Sequence, residues 1–485
     1  MSDEKPVDTV QPPLCDWGAL LNENSKVRQR VGDAVRGVSS QVMRREVREA
    51  ALKFTQGLVA IAAERGIPLP APKSDFPHNA PLIMTGHQPL LYHPGLLFKE
   101  ELLNTFAQAQ SGVPISVTID TDEVDSGRIT WPAIHDGVLS ARESTLARTR
   151  DGMCGRQTMA QSEAVLGILA EIRSDLSRGS MGHLEEPVVS ALQLYSKLGG
   201  VPVAEAHSIV RRVLTGHNHL ELPLSAVADL QEPRHFIEAI MADAAGFAAL
   251  YNEALVEHRR EHNIKNAANP FPNMEVSSAQ VELPLWTMAG ANRQPVRVPM
   301  AGGAAEPTQS ILPRGSMVTL MLRACCADFF IHGLGGSKYD QFVDRFAVKW
   351  LGAELPRFVV ASRTQHLFPN KVQQLEAELR LKSQLKEMVS HPQNFVGKGL
   401  FSQAEDQLLA EAGGERDGLL ALLKQATEGQ ERSAIAYKLN DLNRRLRDTI
   451  HQTQLYQRLQ DPACSEAVLR QWRYREFPFF LFKGT

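Results

Sequence analysis

The segment 82–120 constrains the fold more than any other stretch. Leu82-Ile83-Met84 is an apolar run of strand length, and Gly86-His87-Gln88-Pro89 follows at once. After Pro94-Gly95, the residues Leu96, Leu97, Leu102, Leu103 and Phe106 recur at helical intervals until Ser111-Gly112. A β-branched run, 114–119, then ends at Asp120. Strand, turn, helix and strand in succession make a βαβ unit, whose strands lie parallel with a right-handed crossover. The expectation is an α/β protein with a parallel sheet at its core.

The 485 residues exceed one ordinary core, so further units are expected. Residues 1–79 read as an N-terminal tail, loose to about residue 24, followed by a helix over 39–65. The α/β core takes 80–150 and 266–370, with further strands at 296–299, 329–331 and 358–361 and helices at 315–327 and 339–350. Residues 151–265 read as a helical insertion. From 371 to 485 the pattern is again helical. Val372, Leu375 and Leu379 start one amphipathic stripe, and Ile435, Leu439, Leu442 and Leu446 follow the spacing of a coiled-coil seam. An antiparallel hairpin is the simplest arrangement, with a homodimer through it as one use of its stripe. The terminal run 477–482, Phe-Pro-Phe-Phe-Leu-Phe, is expected to dock on a core.

The net charge of −3 gives no basis for a nucleic-acid or anionic-membrane surface. Five cysteines without a Cys-x-x-Cys spacing suit a reducing compartment better than a disulfide framework or a structural zinc site. The opening MSDEKPVDTVQPP has no basic region followed by an apolar core, and the apolar window 239–251 is interrupted by Asp243. The expected setting is cytoplasmic and the expected partner is a small molecule, with neither nucleic acid nor membrane.

Ligands of open parallel sheets sit beyond the carboxyl ends of the strands. Three polar loops are expected there: Gly86-His87-Gln88-Pro89, then Asp120-Thr121-Asp122-Glu123-Val124-Asp125, then the glycine-rich stretch His332 to Lys338 with Gly335 and Gly336. Ser362-Arg363 is a fourth candidate. His87 is able to exchange a proton near neutral pH or donate to a developing negative charge. Asp120, Asp122 and Asp125 suit a substrate amine or a hydrated magnesium ion. Gly335-Gly336 ahead of a helix would present N–H groups to an anion. Lys99 lies early in the first helix, where a cation opposes the macrodipole unless an anion is near. Each feature has an ordinary reading as well: turn chemistry, helix capping, or a solvated face in which Glu100 and Glu101 offset Lys99.

Thr85-Gly86-His87-Gln88, followed by Pro94-Gly95 and Lys99, resembles the signature of the cysteine-adding enzyme family of bacillithiol biosynthesis (BshC). The acidic cluster after Val117-Thr118-Ile119, the segment Leu312-Pro313-Arg314 and the Gly335-Gly336 pair extend the resemblance over roughly 80–130 and 310–350. The chain departs from that family in carrying His87 for a glutamine, Pro-Gly for Gly-Pro, and an acidic motif without a histidine. The resemblance implies a Rossmann-like, nucleotidyltransferase-type core and a dimerising C-terminal coiled coil. It also implies a ligase that condenses an amino acid, cysteine in the family, with an amino-sugar conjugate. By analogy with that fold, it implies a site for ATP or ADP with magnesium. In that reading Gly86 and His87 face the developing oxyanion, Asp120 or Asp122 holds the ammonium or acts as base, and Lys99 or Arg314 binds an anionic group. Gln88, Asp125, Gly335, Gly336 and Lys338 complete the set. A non-catalytic binding or assembly protein with a degenerate pocket is the alternative.

Other motifs compete less well. His258-Arg-Arg-Glu261-His262 matches one metallopeptidase order, but its charged surroundings suit a solvated helix end, so no metal site is assigned there. His217-Asn-His219 reads as a surface turn, and Cys325-Cys326 as buried thiols. Glu282 and Trp286 read as a proline-aromatic loop that reaches toward the site.

Overall fold

The computed structural model describes residues 6–482 apart from 33, 291, 301–309 and 428. They form two compact units, a larger one drawn from Lys5–Pro132, Arg142–Gln365 and Arg475–Thr485, and a smaller one drawn from Ala133–Ala141 and His366–Tyr474.

The larger unit is mixed α/β. Its six-stranded sheet contains β1 (Val7–Gln11), β2 (Leu82–His87), β3 (Val113–Thr118), β6 (Leu220–Pro223), β10 (Phe329–His332) and β11 (Val359–Thr364). The spatial order is β1-β11-β10-β2-β3-β6. All neighbours pair in parallel except β1, which runs antiparallel along β11. The βαβ unit is therefore present as expected, with β2 and β3 side by side and helix Pro94–Ala109 between them in sequence. Alternation along β2 buries Leu82 and Met84 in one core with Met43, Val47 and Ala51 of helix Ser40–Glu64. Ile83 goes to the opposite core with Trp17, Phe98 and Leu103. A strand buried on both faces must be apolar nearly throughout, which is why 82–84 carries so clear a signal.

Several expectations need correction. The N-terminal residues are not a loose tail, because Val7–Gln11 is the edge strand and Trp17–Gly32 is a helix. The stretch read as a helical insertion contributes β6, whose four residues are all buried but too few to show a strand period. Two smaller sheets were not legible in full. One pairs β4 (Arg128–His135) with β5 (Val138–Thr145); the other orders β7 (Gln280–Ala289), β8 (Asn292–Pro299) and β9 (Ile311–Pro313) as β8-β7-β9. Glu282 and Trp286 thus lie on a strand, with a register shift between them, rather than on a loop. The C-terminal run docks as expected, with Phe477 and Phe479 to Phe482 buried.

In the smaller unit, helices Gln403–Gln425 and Gly429–Gln452 pack together, and Leu409, Leu442, Leu446 and Ile450 are buried in its core. Among the described residues, no helix is long and apolar enough to cross a membrane.

Candidate active site

At the carboxyl end of β2 the backbone passes close to β3. A Cβ on Gly86 would stand 3.1 Å from the Val117 carbonyl oxygen. The next turn leads to His93, whose side chain caps helix Pro94–Ala109 by accepting from the Gly95 N–H at 3.1 Å. Gly95 is required by a second close approach, since a Cβ there would meet the Arg363 carbonyl oxygen at 2.6 Å.

His87 is partly buried, and its Nδ1 lies 3.1 Å from the Gln88 carbonyl oxygen. A carbonyl only accepts, so Nδ1 carries the proton and Nε2 presents a lone pair. Burial, and then the charge of Lys99, pushes its pKa down to about 3. Lys99 is not on a solvated face. It is 3% exposed, and its Nζ donates to the Gly86 carbonyl oxygen at 3.0 Å. Burial lowers its pKa to about 8, against the opposing effect of Glu100.

The three acids of the second loop differ in environment. Asp120 is buried and accepts from both the backbone N–H (2.9 Å) and the hydroxyl of Ser225. Burial raises its pKa, which those bonds oppose. It fixes the chain after β6 and has little left to offer a ligand. Asp122 accepts from Gln88 Nε2 at 2.7 Å and from Arg293 Nη1 at 2.6 Å. Asp125 accepts from the Thr145 hydroxyl at 2.9 Å and pairs with Arg150 at 3.2 Å.

Arg293 is the residue that sequence reasoning missed. Its Nη1 also donates to the Thr121 carbonyl oxygen at 2.9 Å, and its guanidinium lies 4.4 Å from the ring centroid of Trp286. Arg314 lies over the same ring at 4.4 Å and donates to Glu282 at 2.9 Å. A continuous polar chain thus links Gln88, Asp122, Arg293, Trp286, Arg314 and Glu282. The one available signal was the alternation of Arg293, Val296 and Arg297 along a strand beside Trp286, which is weak.

The third loop is displaced from its expected form. Gly335, Gly336 and Lys338 belong to helix Leu334–Leu351, which starts directly after Gly333. Gly336 is needed for packing, because a Cβ there would stand 2.9 Å from His332 Nδ1. His332 Nε2 meets Asp340 at 2.7 Å. Burial alone would raise Asp340, but His332 and Arg323 hold it down to about 2. The loop does begin beside the first one, since a Cβ on Gly333 would touch the Lys99 chain at 3.8 Å. Lys338 is exposed. Arg363, the fourth candidate, is held by Asp8 at 2.8 Å and Glu101 at 3.1 Å, so it ties the edge strand to the sheet.

Next to His87 lies a pocket of roughly 380 Å³, with His93, Asp125, Arg128, Thr130 and Glu476 among its polar walls. The C-terminal segment supplies Glu476 and Pro478 to its wall and is anchored there by the Phe479 N–H, which donates to the Tyr92 carbonyl oxygen at 2.9 Å.

Two other clusters bear on metal binding. His219 is not on a surface turn but fully buried, with its Nε2 3.6 Å from Glu100, and His217 lies beside the same carboxylate. Among the described residues, this is the group of three whose ligand atoms lie within 4.8 Å of one another. Asn104 Nδ2 donates to the Glu100 carbonyl oxygen at 2.7 Å and faces His219 Nδ1 at 3.0 Å. His219 Nδ1 is then an acceptor and Nε2 carries the proton, which leaves no lone pair for a metal. Arg211, 2.8 Å from Glu100 and 3.2 Å from Glu221, already supplies positive charge. Burial would raise Glu100, yet Arg211 and the two histidines hold it well below the usual carboxylate range. The cluster reads as a buried ion network. At the second cluster, Glu261 is engaged by Arg345, and His258 and His262 lie 4.4 Å apart by ring centroid. Cys325 and Cys326 are buried, and burial raises both thiols, Cys326 to about 12.

No protein-family model matches this chain, and no curated protein matches it significantly.

Proposed function

We propose that the chain is an amide-forming ligase like the cysteine-adding enzyme of bacillithiol biosynthesis, on a Rossmann-like, nucleotidyltransferase-type core with a C-terminal coiled-coil hairpin. The observation that carries this reading is the Gln88–Asp122–Arg293 bridge, which joins two strand-end loops whose neighbouring residues His87, Val124 and Asp125 line the pocket, although the bridge itself is not part of its wall. The reaction joins an amine nitrogen to a carboxyl carbon; the carbon–oxygen bond breaks, its oxygen leaving on the phosphate that a nucleotide would supply, and the amine gives up one proton to solvent, so that water is lost overall. Asp122, with its remaining lone pairs, takes the ammonium of the amino acid. Arg293 offers the rest of its guanidinium to a carboxylate. His87 accepts a hydrogen bond from the attacking amine through Nε2 and so orients it, instead of donating to an oxyanion, because its proton sits on Nδ1; with a pKa of about 3 it does not retain the amine's proton.

Such a condensation draws on a nucleotide, ATP or ADP with magnesium. Its phosphates suit the first turn of helix Leu334–Leu351, where Gly335 and Gly336 have N–H groups without intrahelical partners, near Lys99. The acids fit a bare magnesium ion poorly, since Ser225 occupies Asp120 and Thr145 with Arg150 occupies Asp125.

Calorimetric titration with ATP, cysteine and an amino-sugar malate tests the proposal. Binding followed by product formation supports it, and failure of all three to bind contradicts it. Binding without turnover favours the second reading, an assembly protein with a degenerate pocket. Exposed Leu408, Leu422 and Tyr437 on the paired helices support that reading, and with it a homodimer measurable by light scattering.

A further inference from the structure

Where β2 begins at Leu82, a second pocket of roughly 380 Å³ opens. Five residue steps of ~3.3 Å along β2 put its Leu82 wall roughly 17 Å from His87. Its lining includes Arg28, Arg44, Arg45, Arg48, His78 and the first turn of helix Ser40–Glu64.

The charges there do not balance. Arg28 and Arg44 share one carboxylate, Asp328, at 2.8 and 2.6 Å, and Asp328 also accepts from the Leu82 N–H at 2.8 Å. Arg48 donates to the Pro77 carbonyl oxygen at 3.1 Å, and Arg45 is exposed, with no ion pair among the described residues. Of the nearby acids, Glu49 is exposed with no ion pair among the described residues, and the other two are turned away. Glu46 accepts from the N–H groups of Gln231 and Glu232, and Glu232 accepts from the Ser39 N–H. Of the four guanidiniums that line the pocket, Arg28 and Arg44 are paired with a carboxylate and both use Asp328, Arg44 also donating to the Cys326 and Ala80 carbonyl oxygens, while Arg45 and Arg48 have no carboxylate among the described residues.

Their placement adds to the imbalance. Arg44, Arg45 and Arg48 lie in the first turns of a helix that has no acid in its opening turn. Burial lowers the Arg44 guanidinium; Asp328 opposes this, and Arg28 lowers it again. An anion would relieve every one of these terms at once. Guanidinium forks and the free N–H groups of a helix start match phosphate oxygens in geometry and charge. The volume suits a small ligand.

We infer that this arginine-lined pocket binds the phosphoryl group of a small molecule, at a site separate from the one at His87.

The test is calorimetric titration of pyrophosphate into the full-length protein at constant ionic strength. Wild type, the double variant Arg45→Gln/Arg48→Gln and His87→Ala are compared. Neither substituted arginine holds Asp328, so the fold is expected to survive, and a thermal melt checks this. Saturable binding by wild type and His87→Ala, weakened at least about tenfold in the double variant, is the expected result. No binding by wild type, or equal binding by the double variant, overturns the inference. Loss of binding in His87→Ala overturns it too, because the phosphate would then sit at the other end of the sheet.

Discussion

Gln88 donates from Nε2 to Asp122 Oδ2 at 2.7 Å, across the gap between the loops that follow β2 and β3. The two residues are 34 positions apart, and parallel pairing of their strands brings them together. Arg293 closes the far side of the same carboxylate at 2.6 Å.

Arg293→Met removes that closure. It leaves the Asp122 side chain with one hydrogen bond, from Gln88, and takes one of two guanidiniums off Trp286. A stability loss of about 1–3 kcal/mol is expected by urea denaturation, from the uncompensated charge. Amino-acid affinity is expected to fall at least about tenfold in calorimetry. Unchanged affinity would remove Arg293 from the site.

Lys99 makes a prediction in alkaline solution. Its folded pKa of about 8 lies below the unfolded value of 10.5. Between those values the unfolded chain holds a proton that the folded chain does not, so this group makes stability rise with pH across that window. Below it the penalty is fully present, at most about 3 kcal/mol. Lys99→Met is expected to flatten this part of the stability profile, to stabilise the protein at pH 7, and to weaken binding of an anionic substrate. Denaturation midpoints from pH 7 to 10.5 read the first two effects.

His87 behaves in the same sense on the acid side. Its folded pKa of about 3 lies below the ordinary 6.5, so its contribution is unaffected above 6.5 and stability is lost as pH falls toward 3. His87→Gln is expected to lose less stability than wild type between pH 7 and pH 4, by at most about 3 kcal/mol. Wild-type activity should show no inflection near 6.5 from this residue. An inflection there that vanishes in His87→Gln would show that the imidazole titrates normally.

The glycine pair separates packing from ligand contact. Gly336→Ala drives a Cβ toward His332 and is expected to destabilise by about 1–3 kcal/mol. Gly335→Ala meets nothing within 4 Å on a helix and is expected to leave stability equal or slightly higher. Thermal melts of the two variants make the comparison. If Gly335→Ala nonetheless weakens nucleotide binding, its exposed position faces the phosphates.

How much of this was legible follows from burial. The strands at 82, 113 and 329 are buried along most of their length, so their starts were read to within a residue, whereas the strand at 359 is only half-buried, and those at 82 and 359 run three residues past their expected ends. The N-terminal strand lies at an edge with Val7 exposed, and nothing in its composition separates it from a tail. The helix at Leu334 begins with two glycines and a serine within four residues, which propensity assigns to a loop. Gln88 and Asp122 were legible as site candidates because each follows a strand. Arg293 was not, because its role depends on a small sheet whose pairing brings Trp286 under it. The burial of His219 was hidden for a related reason: Glu100, which encloses it with Arg211 of the preceding helix, comes from the distant helix Pro94–Ala109.

The central claim is that these strand-end residues form one catalytic site. Incubation of the protein with cysteine, an amino-sugar malate and ATP, followed by mass spectrometry, tests it most directly. The account predicts a product whose mass is the sum of the two substrates less one water, formed by wild type and lost in both His87→Ala and Asp122→Ala, with circular dichroism unchanged. Absence of the product in wild type, or its persistence in both variants, would contradict the account.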